Sequence, residues 1–400
     1  MSEFTQHKEA RVETVIKLAH ALLNNEKVNP LYKKYEEPIS KLVPSDVITA
    51  IDQLMQENTD MTALKVMVNK LLNLIYKPIN DHAEAKPKEH TFLWYLEANH
   101  DKAAQFLKYA GLSLKQLNVT DDKQAQAKGL ADTYHQLLPI DMLYTIKENI
   151  LFPALEKHWQ DYRCVQLMWS YQDDIRRDLK EIIELLNASE NWNMKRINRL
   201  AGDISFRIKA IQFRDEKILF PQILDTLDEP ELRKLMAACA DLEFPYVKAD
   251  VVKVEASDVA KEEKNKLVDL GTGAILPEHI KLIFNHLPVD ITYVDEHNKV
   301  QYYSTPKHRI FPRTKAVIGR DVHNCHPPES VHVVEKIVKA FRDGKRDKAS
   351  FWIHMKDQFI LIQYFAVRNE QGSFKGTLEV SQEISEIHSL EGDQRLLDWE

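Results

Sequence analysis

Two glutamates, Glu148 and Glu216, occupy the same position in a motif that the sequence repeats. Residues 147–155 read Lys-Glu-Asn-Ile-Leu-Phe-Pro-Ala-Leu, and residues 215–223 read Asp-Glu-Lys-Ile-Leu-Phe-Pro-Gln-Ile, an offset of 68 residues. Each copy lies inside a helical pattern, so the repeat predicts two helix hairpins that duplicate into a bundle. The two carboxylates would then meet in a shared interior, where carboxylates can bind a metal cation.

Carboxylates that are buried without a metal need cationic partners, because an unpaired buried charge is costly. Lys147 and Arg214 adjoin the motif acids along the chain. Adjacent positions of a helix point apart, so neither cation is expected to pair with its neighbour. No GxGxxG, Walker or GxSxG motif occurs in the sequence, which favours a protein that is not an enzyme.

Composition and charge narrow the class of protein. The hydrophobic fraction of 44% and the charged fraction of 29% are typical of a soluble globular chain. The net charge of -7 argues against a nucleic-acid partner. No apolar run approaches the ~18 residues that cross a bilayer, and the N-terminus lacks the apolar core of a signal peptide. Cys164, Cys239 and Cys325 are widely separated and form no metal motif, which predicts a cytoplasmic location.

Glycine placement divides the chain into a helical part and a part richer in strands. Only Gly111, Gly129 and Gly202 occur before residue 270, and glycine is costly inside helices. We therefore predict a multidomain fold, α followed by α+β. The predicted parts are a small helical domain at 1–80, a four-helix bundle at 81–244, a linker at 245–273, and a sheet domain with a C-terminal tail at 274–400.

Four long helical patterns supply the antiparallel four-helix bundle, at about 90–110, 124–157, 162–187 and 192–224. The two Leu-Phe-Pro motifs are expected to end the second and fourth of these helices, or to kink them, because proline removes a backbone donor.

The last third of the chain has the pattern of a five-stranded antiparallel sheet with helices on one face. The hollow side of such a sheet can hold a small ligand. The predicted strands are 290–295, 300–304, 348–355, 359–367 and 374–381, and the predicted helices are 278–287 and 328–342.

Several segments of this third are specific. They include Asp290-Ile-Thr-Tyr-Val-Asp295, Ile318-Gly-Arg-Asp-Val-His-Asn-Cys-His-Pro-Pro328 and Tyr364-Phe-Ala-Val-Arg368. On these segments, the residues after 274 resemble a PAS sensory domain. Residues 86–240 resemble the hemerythrin-like (HHE cation-binding) family through the repeated acid and Leu-Phe-Pro. The first 80 residues resemble a helical domain of unknown function, so the whole chain resembles an uncharacterised bacterial family with this domain order.

The hemerythrin-like resemblance implies a pair of irons held by histidines and carboxylates from all four helices. In that family a histidine precedes each motif acid by about one turn, whereas this sequence has Leu143 and Tyr144, or Ile211 and Gln212, at those places. Neither half keeps its histidine, which favours an apolar interior with surface charges over a mononuclear or di-iron site. The residues that remain for a metal site are His90, His100, Glu148, Asp174, Asp215 and Glu216.

Two of these candidates, His90 and His100, both fall on the first helix of the predicted bundle. They lie about 15 Å apart along its axis, so at most one of them joins a site.

The PAS resemblance implies a ligand on the hollow side of the sheet. Haem-binding members take an axial histidine from the region of His326 and His332, and Cys325 is an alternative thiolate ligand. The pair Pro327 and Pro328 equally fits the start of a helix, so that His326 bonds a turn and His332 faces solvent. A small organic ligand, or none, is favoured over haem.

Together the resemblances predict a cytoplasmic sensory or regulatory protein. It would detect a small ligand or redox signal through its PAS and hemerythrin-like domains and pass it to a separate partner protein. A homo-oligomer would form through the PAS domain or the tail, where Leu396, Leu397 and Trp399 suit a docking helix. Two alternatives stay open: a di-iron enzyme that handles nitric oxide or repairs iron centres, and an interaction scaffold whose sensor sites have decayed.

Overall fold

The chain separates into two compact units, Met1–Lys253 and Val254–Glu400. The computed structural model describes residues 3–57, 60–82, 86–188, 192–249, 267–355 and 357–392. None of the helices in these ranges combines the length and the apolarity needed to span a bilayer.

The first unit consists of helices and their connections in its described residues, which confirms the helix-rich region predicted from apolar periodicity. A short 3-10 turn, Ala238–Asp241, follows its last helix. The helices are α1 (Glu3–Leu23), α2 (Asn29–Lys34), α3 (Glu36–Ser40), α4 (Pro44–Gln56), α5 (Met61–Leu74), α6 (Tyr76–Asn80), α7 (Phe92–Val119), α8 (Lys123–Leu137), α9 (Ile140–Ile146), α10 (Phe152–His158), α11 (Cys164–Asn187), α12 (Met194–Arg214), α13 (Phe220–Thr226) and α14 (Glu229–Ala237).

Helix α5 illustrates how the local sequence sets these elements. The side chain of Asp60 accepts a hydrogen bond from the backbone N–H of Ala63 and so satisfies one of the free donors at the helix start. Apolar residues then recur at three- and four-residue steps and form one buried face. The buried residues of this helix are Leu64, Met67, Val68, Leu71 and Leu72.

One hydrophobic core runs from Val12 to Phe244, so the helices before residue 80 share their interior with those after residue 86. Polar contacts join the same two regions. The guanidinium of Arg163 donates to Asp52 at 3.0 Å, and the hydroxyl of Thr49 donates to a carboxylate oxygen of Asp161 at 2.7 Å. The division into a domain at 1–80 and another at 81–244 stays a prediction.

The four long helical segments after residue 90 contact one another in a ring. Helix α7 packs against α8 and α12, and α11 also packs against α8 and α12. Each of the four therefore has two neighbours, and their apolar faces point to a common interior.

The leucine of each Leu-Phe-Pro motif is the last residue of a π-helical turn, which is Lys147–Leu151 in one half and Asp215–Leu219 in the other. The prolines lie in the first turn of the helices that come next, α10 and α13. A proline lacks a backbone donor and clashes with the preceding turn, and a π-turn relieves this by widening the helix. The helical path therefore continues past both prolines to His158 and Thr226.

The second unit contains the predicted five-stranded antiparallel sheet, in the order β4-β3-β7-β6-β5. A two-residue hairpin, β1 with β2, precedes it. The strands are β1 (Val268–Asp269), β2 (Ala274–Ile275), β3 (Asp290–Asp295), β4 (Val300–Tyr303), β5 (Lys348–Met355), β6 (Gln358–Arg368) and β7 (Phe374–Glu383), and the helices are α15 (Pro277–His286), α16 (Pro328–Arg342) and α17 (Ser385–His388). Short 3-10 turns at Lys315–Val317 and Val322–Cys325 lie between β4 and α16.

Two segments of the predicted connections fall partly outside the described residues. Within the linker predicted at 245–273, the stretch 250–266 lies outside them, whereas Tyr246 and Val247 bond to Asn99 of α7 in the first unit. The docking helix expected around Leu396, Leu397 and Trp399 also lies outside the described residues.

Candidate functional site

A cluster of three fully buried ionisable side chains lies in the core of the helical unit. Asp215, at the start of the second π-turn, accepts two hydrogen bonds on the same oxygen, Oδ2. One comes from Lys147 Nζ at 2.5 Å and the other from His100 Nε2 at 2.8 Å. Lys147 begins the first π-turn, so the cluster joins both halves of the repeat to helix α7.

Burial alone would raise the pKa of Asp215, but the Lys147 ammonium and the His100 hydrogen bond outweigh it and hold that pKa below its ordinary value. The carboxylate is thus ionised and can only accept hydrogen bonds, so His100 carries a proton on Nε2. Asp215 Oδ1, His100 Nδ1 and the hydroxyl of Tyr144 are buried and have no hydrogen-bond partner among the described residues.

Glu148 does not join this cluster. Its carboxylate receives Nη1 and Nη2 of Arg176 at 2.8 and 3.1 Å, one nitrogen on each oxygen. Burial raises the pKa of Glu148 to about 7, and the charge of Arg176 opposes that rise. The same guanidinium also donates to Asp141 and to Asp173.

Glu216 has different surroundings again. It accepts a hydrogen bond from Gln212 Nε2 at 2.7 Å, on its own helical segment. Desolvation raises its pKa to about 7; the hydrogen bond from Gln212 opposes this rise, and the charges of Glu97 and Asp101 of α7 add to it. The two motif glutamates therefore have separate partners, an arginine for Glu148 and a glutamine for Glu216.

The remaining predicted ligands are also apart from Asp215. Asp174 accepts hydrogen bonds from Lys65 and Arg177, both at 2.8 Å. Burial raises the pKa of Asp174, but these two cations outweigh it and hold the pKa below its ordinary value. His90 was expected on the first long helix, but α7 begins at Phe92 and His90 lies before it, exposed and in a left-handed conformation with φ 61°. Within the predicted set, His100 and Asp215 are joined by a hydrogen bond between their side chains.

The donor set at this cluster does not fit iron. The oxygen and nitrogen that would ligate a metal, Asp215 Oδ2 and His100 Nε2, are both committed to hydrogen bonds, and the nearest cation is the Lys147 ammonium. Within the described ranges, no three side chains of histidine, cysteine, aspartate or glutamate are grouped so that they could hold one ion.

The partners of the buried acids were missed by reasoning from the sequence. Lys147 does not pair with adjacent Glu148 but with Asp215, its own counterpart in the other copy of the motif. The signal was present, because the two equivalent positions carry opposite charges. Arg214 forms no ion pair with an acid in the described part of the chain: it donates to Asn69 Oδ1 at 2.5 Å and stacks on the ring of Tyr171 at 4.3 Å.

The three predicted ligands in the sheet unit also differ in their surroundings. Cys325 is buried in an apolar cluster, and its thiol donates to the carbonyl of Asp321 at 3.5 Å. His332 lies on helix α16 with its side chain exposed. His326 is partly buried; desolvation, reinforced by Arg313, lowers its pKa to about 3 and keeps the imidazole neutral.

These positions leave His326 as the one predicted side chain whose burial and neutral state suit an axial haem ligand. Cys325 is held by its backbone contact, and the exposed His332 faces away from the interior. The three predicted residues thus supply no pair of axial haem ligands.

Comparison with known proteins bears on this second unit. Residues 280–385 match the family model described as PAS domain. A C-terminal domain from Streptococcus mutans is similar, with 34% identity over 32% of this chain and 99% of that chain and a TM-score of 0.31. The PAS domain of a protein from Colwellia psychrerythraea is also similar, with 17% identity over 27% of this chain and 97% of that chain and a TM-score of 0.23.

No curated protein was found to match the chain. The family model spans all five strands of the sheet, from β3 to β7, together with α16. Residues 280–385 therefore form a PAS domain.

Proposed function

We propose that this chain is a sensory or regulatory protein whose PAS domain receives a small-molecule signal and passes it to a partner protein. The observation that carries the proposal is the PAS match over residues 280–385. PAS sheets curve around a hollow face that suits a small ligand, and their known roles are sensory and regulatory.

The helical unit has a hemerythrin-like bundle in this proposal. The ring of four long helices and the repeated Leu-Phe-Pro motif support that assignment. The polar cluster of Lys147, Asp215 and His100 argues that this bundle acts on the signal through its packing and not through iron.

Exposed apolar side chains support a protein partner. Strand β5 lies at the edge of the sheet, and the side chains of Phe351, Trp352 and Ile353 are all exposed on it. An edge strand with apolar side chains is a template for association with another chain. All three cysteines are free and buried, which supports a reducing, cytoplasmic location.

The di-iron enzyme loses support from the same cluster, since a lysine ammonium holds the carboxylate that iron would need. The decayed scaffold differs from the sensor in one respect, which is whether a ligand binds the PAS domain and changes it. That difference is measurable.

The test is native mass spectrometry of the purified full chain, with an absorption spectrum and metal analysis of the same sample. We expect an organic adduct that is lost on denaturation, and hydrogen exchange that is slower within 280–385 when the adduct is present. His326→Ala should reduce adduct retention, and the exposed His332→Ala is its matched control. A chain without any adduct, or an adduct whose loss leaves exchange unchanged, would favour the scaffold.

A further inference from the structure

We propose that the Lys147 ammonium is the resident cation of the helical unit and stands where a hemerythrin-like bundle would hold its metal. The comparison with a metal site rests on the proposed hemerythrin-like bundle. The contacts of Lys147 lie within the helical unit, so they can be tested independently of the PAS domain.

The first argument is the equivalence of the two paired positions. Lys147 and Asp215 each begin a π-turn, and each comes four residues before the Leu-Phe step of its Leu-Phe-Pro motif. One copy of the repeat supplies the cation and the other supplies the anion, and they meet at 2.5 Å in a fully buried place. Single-turn π segments inside helices are rare and frequently occur at functional sites.

The second argument is competition for the same atoms. A metal ion would take Asp215 Oδ2 and the unprotonated Nε2 of His100 as ligands, but Lys147 Nζ and the His100 proton already occupy both. A protonated amine cannot ligate a metal. Lysine and metal are therefore alternatives for one position.

The third argument concerns the buried polar atoms that have no hydrogen-bond partner in this cluster. Asp215 Oδ1, His100 Nδ1 and the Tyr144 hydroxyl are buried and unpartnered among the described residues. Burial raises the pKa of Tyr144; the charge of Arg176 opposes this rise, and the charge of Asp215 adds to it. These atoms belong to the same two candidate ligands, Asp215 and His100, and to one hydroxyl, so among the described residues the cluster falls short of the ligand set that an iron ion needs.

The consequence is that the buried pair of Lys147 and Asp215 is neutral without a metal. Lys147 and Asp215 cancel each other's charge, and no redox-active ion is needed to stabilise the carboxylate. The helical unit would then be insensitive to signals that act through iron, and the PAS domain would be the point at which the signal enters.

The test measures the thermal midpoint of the full chain with EDTA, with Zn²⁺, and with Fe²⁺ under anaerobic conditions. The wild-type chain should show no change between these conditions and should contain no stoichiometric iron or zinc. Lys147→Met should lower the midpoint by roughly 10 °C, because it leaves a buried carboxylate without its cation. Lys41→Met, which removes an exposed lysine paired with Glu37, is the matched control and should change little.

Two further variants keep the proposal testable if Lys147→Met folds poorly. The double variant Lys147→Met with Asp215→Asn removes both charges and should recover most of the lost midpoint. Lys147→Glu places a second carboxylate beside Asp215 and should create a cation requirement, with a low midpoint in EDTA that Zn²⁺ raises by at least about 5 °C.

Three results would overturn the proposal. They are a wild-type chain with one equivalent of iron or zinc that is lost in His100→Ala, a double variant no more stable than Lys147→Met, and a Lys147→Glu variant that does not respond to Zn²⁺. None of these outcomes depends on whether the PAS domain binds a ligand, so this proposal and the sensory function fail separately.

Discussion

The guanidinium of Arg176 holds both carboxylate oxygens of Glu148, with Nη1 2.8 Å from Oε1 and Nη2 3.1 Å from Oε2. Two-point contacts of this kind are among the strongest polar interactions in proteins. The same arginine donates to Asp141 and Asp173, so three acids from two helices and a π-turn share one cation. A buried motif glutamate is thereby stabilised by an arginine from helix α11, without a metal.

Removal of this arginine should destabilise the helical unit in a pH-dependent way. Arg176→Met removes the guanidinium that contacts both oxygens of buried Glu148, and we expect a loss of about 3–5 kcal/mol in the free energy of unfolding at pH 8. Burial raises the pKa of Glu148 to about 7, and the charge of Arg176 opposes this rise. Without Arg176 the pKa of Glu148 would therefore rise further. The carboxyl is then protonated at pH 5, and the loss there should be smaller. Chemical denaturation at both pH values measures this difference.

The control is an arginine with similar contacts in an exposed place. Arg196 donates to both oxygens of Glu181 at 2.6 Å, but both side chains are substantially exposed. Solvent-exposed ion pairs contribute little, so Arg196→Met should change the unfolding curve only slightly at either pH. Equal effects of the two substitutions would contradict the role assigned to burial.

Glu216 should make the wild-type protein less stable as the pH rises. Desolvation raises its folded pKa to about 7, above the ordinary value of 4.5. A carboxyl with a raised pKa contributes its full stability below pH 4.5, and that contribution is lost as the pH rises through 7. Glu216→Gln cannot ionise, so it should be more stable than wild type at pH 8, on the order of 1 kcal/mol after solvent screening of this partly exposed group.

At pH 5 the same variant and the wild type should unfold at nearly the same denaturant concentration. Glu181→Gln is a control of opposite sign, since its hydrogen bond to Arg196 lowers the pKa of Glu181. Because this ion pair is exposed, that substitution should leave stability at pH 8 nearly unchanged or slightly lower, and not higher. A Glu216→Gln variant without any gain at pH 8 would show that the carboxyl is not desolvated.

The extents of the elements could be predicted from the sequence because they depend on local pattern. The predicted strands 290–295 and 348–355 match β3 and β5, and the predicted helix 328–342 matches α16. The signals that define these segments extend over only a few positions. They are the apolar period, the turn residues and the proline at a helix start. Such signals are contained in the segment itself.

The partners of the buried charges could not be predicted in the same way. Apolar periodicity indicates which face of a helix is buried, but not which element covers it. Along the chain the acid next to Lys147 is Glu148, whereas the fold brings Lys147 to Asp215, 68 positions away. The two side chains meet across the interior of the helical ring, from equivalent positions of the two copies of the repeat, and this is a property of the tertiary structure.

Asn99 should be required to attach residues 245–249 to the helical unit. Its fully buried amide accepts the backbone N–H groups of Tyr246 and Val247 at 2.7 and 3.0 Å and donates to the carbonyl of Val247 at 3.1 Å. Asn99→Leu leaves these backbone groups without partners, at a cost of about 1–3 kcal/mol. Limited proteolysis should then cleave this segment faster. Asn118→Leu, which removes an exposed amide paired with Asn198, is the control and should leave cleavage unchanged.

Gly376 should be indispensable to the PAS sheet, because strands β3 and β7 approach each other too closely there for a side chain. It has φ +146°, and a Cβ at this position would lie 2.1 Å from the carbonyl oxygen of Val294 and 2.8 Å from the ring of Tyr293. Neither the backbone oxygen nor the conformation of the glycine can adapt cheaply. We expect Gly376→Ala to cost at least about 3 kcal/mol in the stability of this domain.

Hydrogen exchange of the full chain is the measurement, because it reports on each unit separately. Peptides from β3 and β7 should lose protection in Gly376→Ala, while peptides from α7 and α11 keep theirs. Gly273→Ala is the control, since that glycine has open space around it and no strained φ. If Gly376→Ala retained wild-type protection across β3 and β7, the pairing of Val294 with Thr377 and of Asp295 with Gly376 in this sheet would have to be wrong.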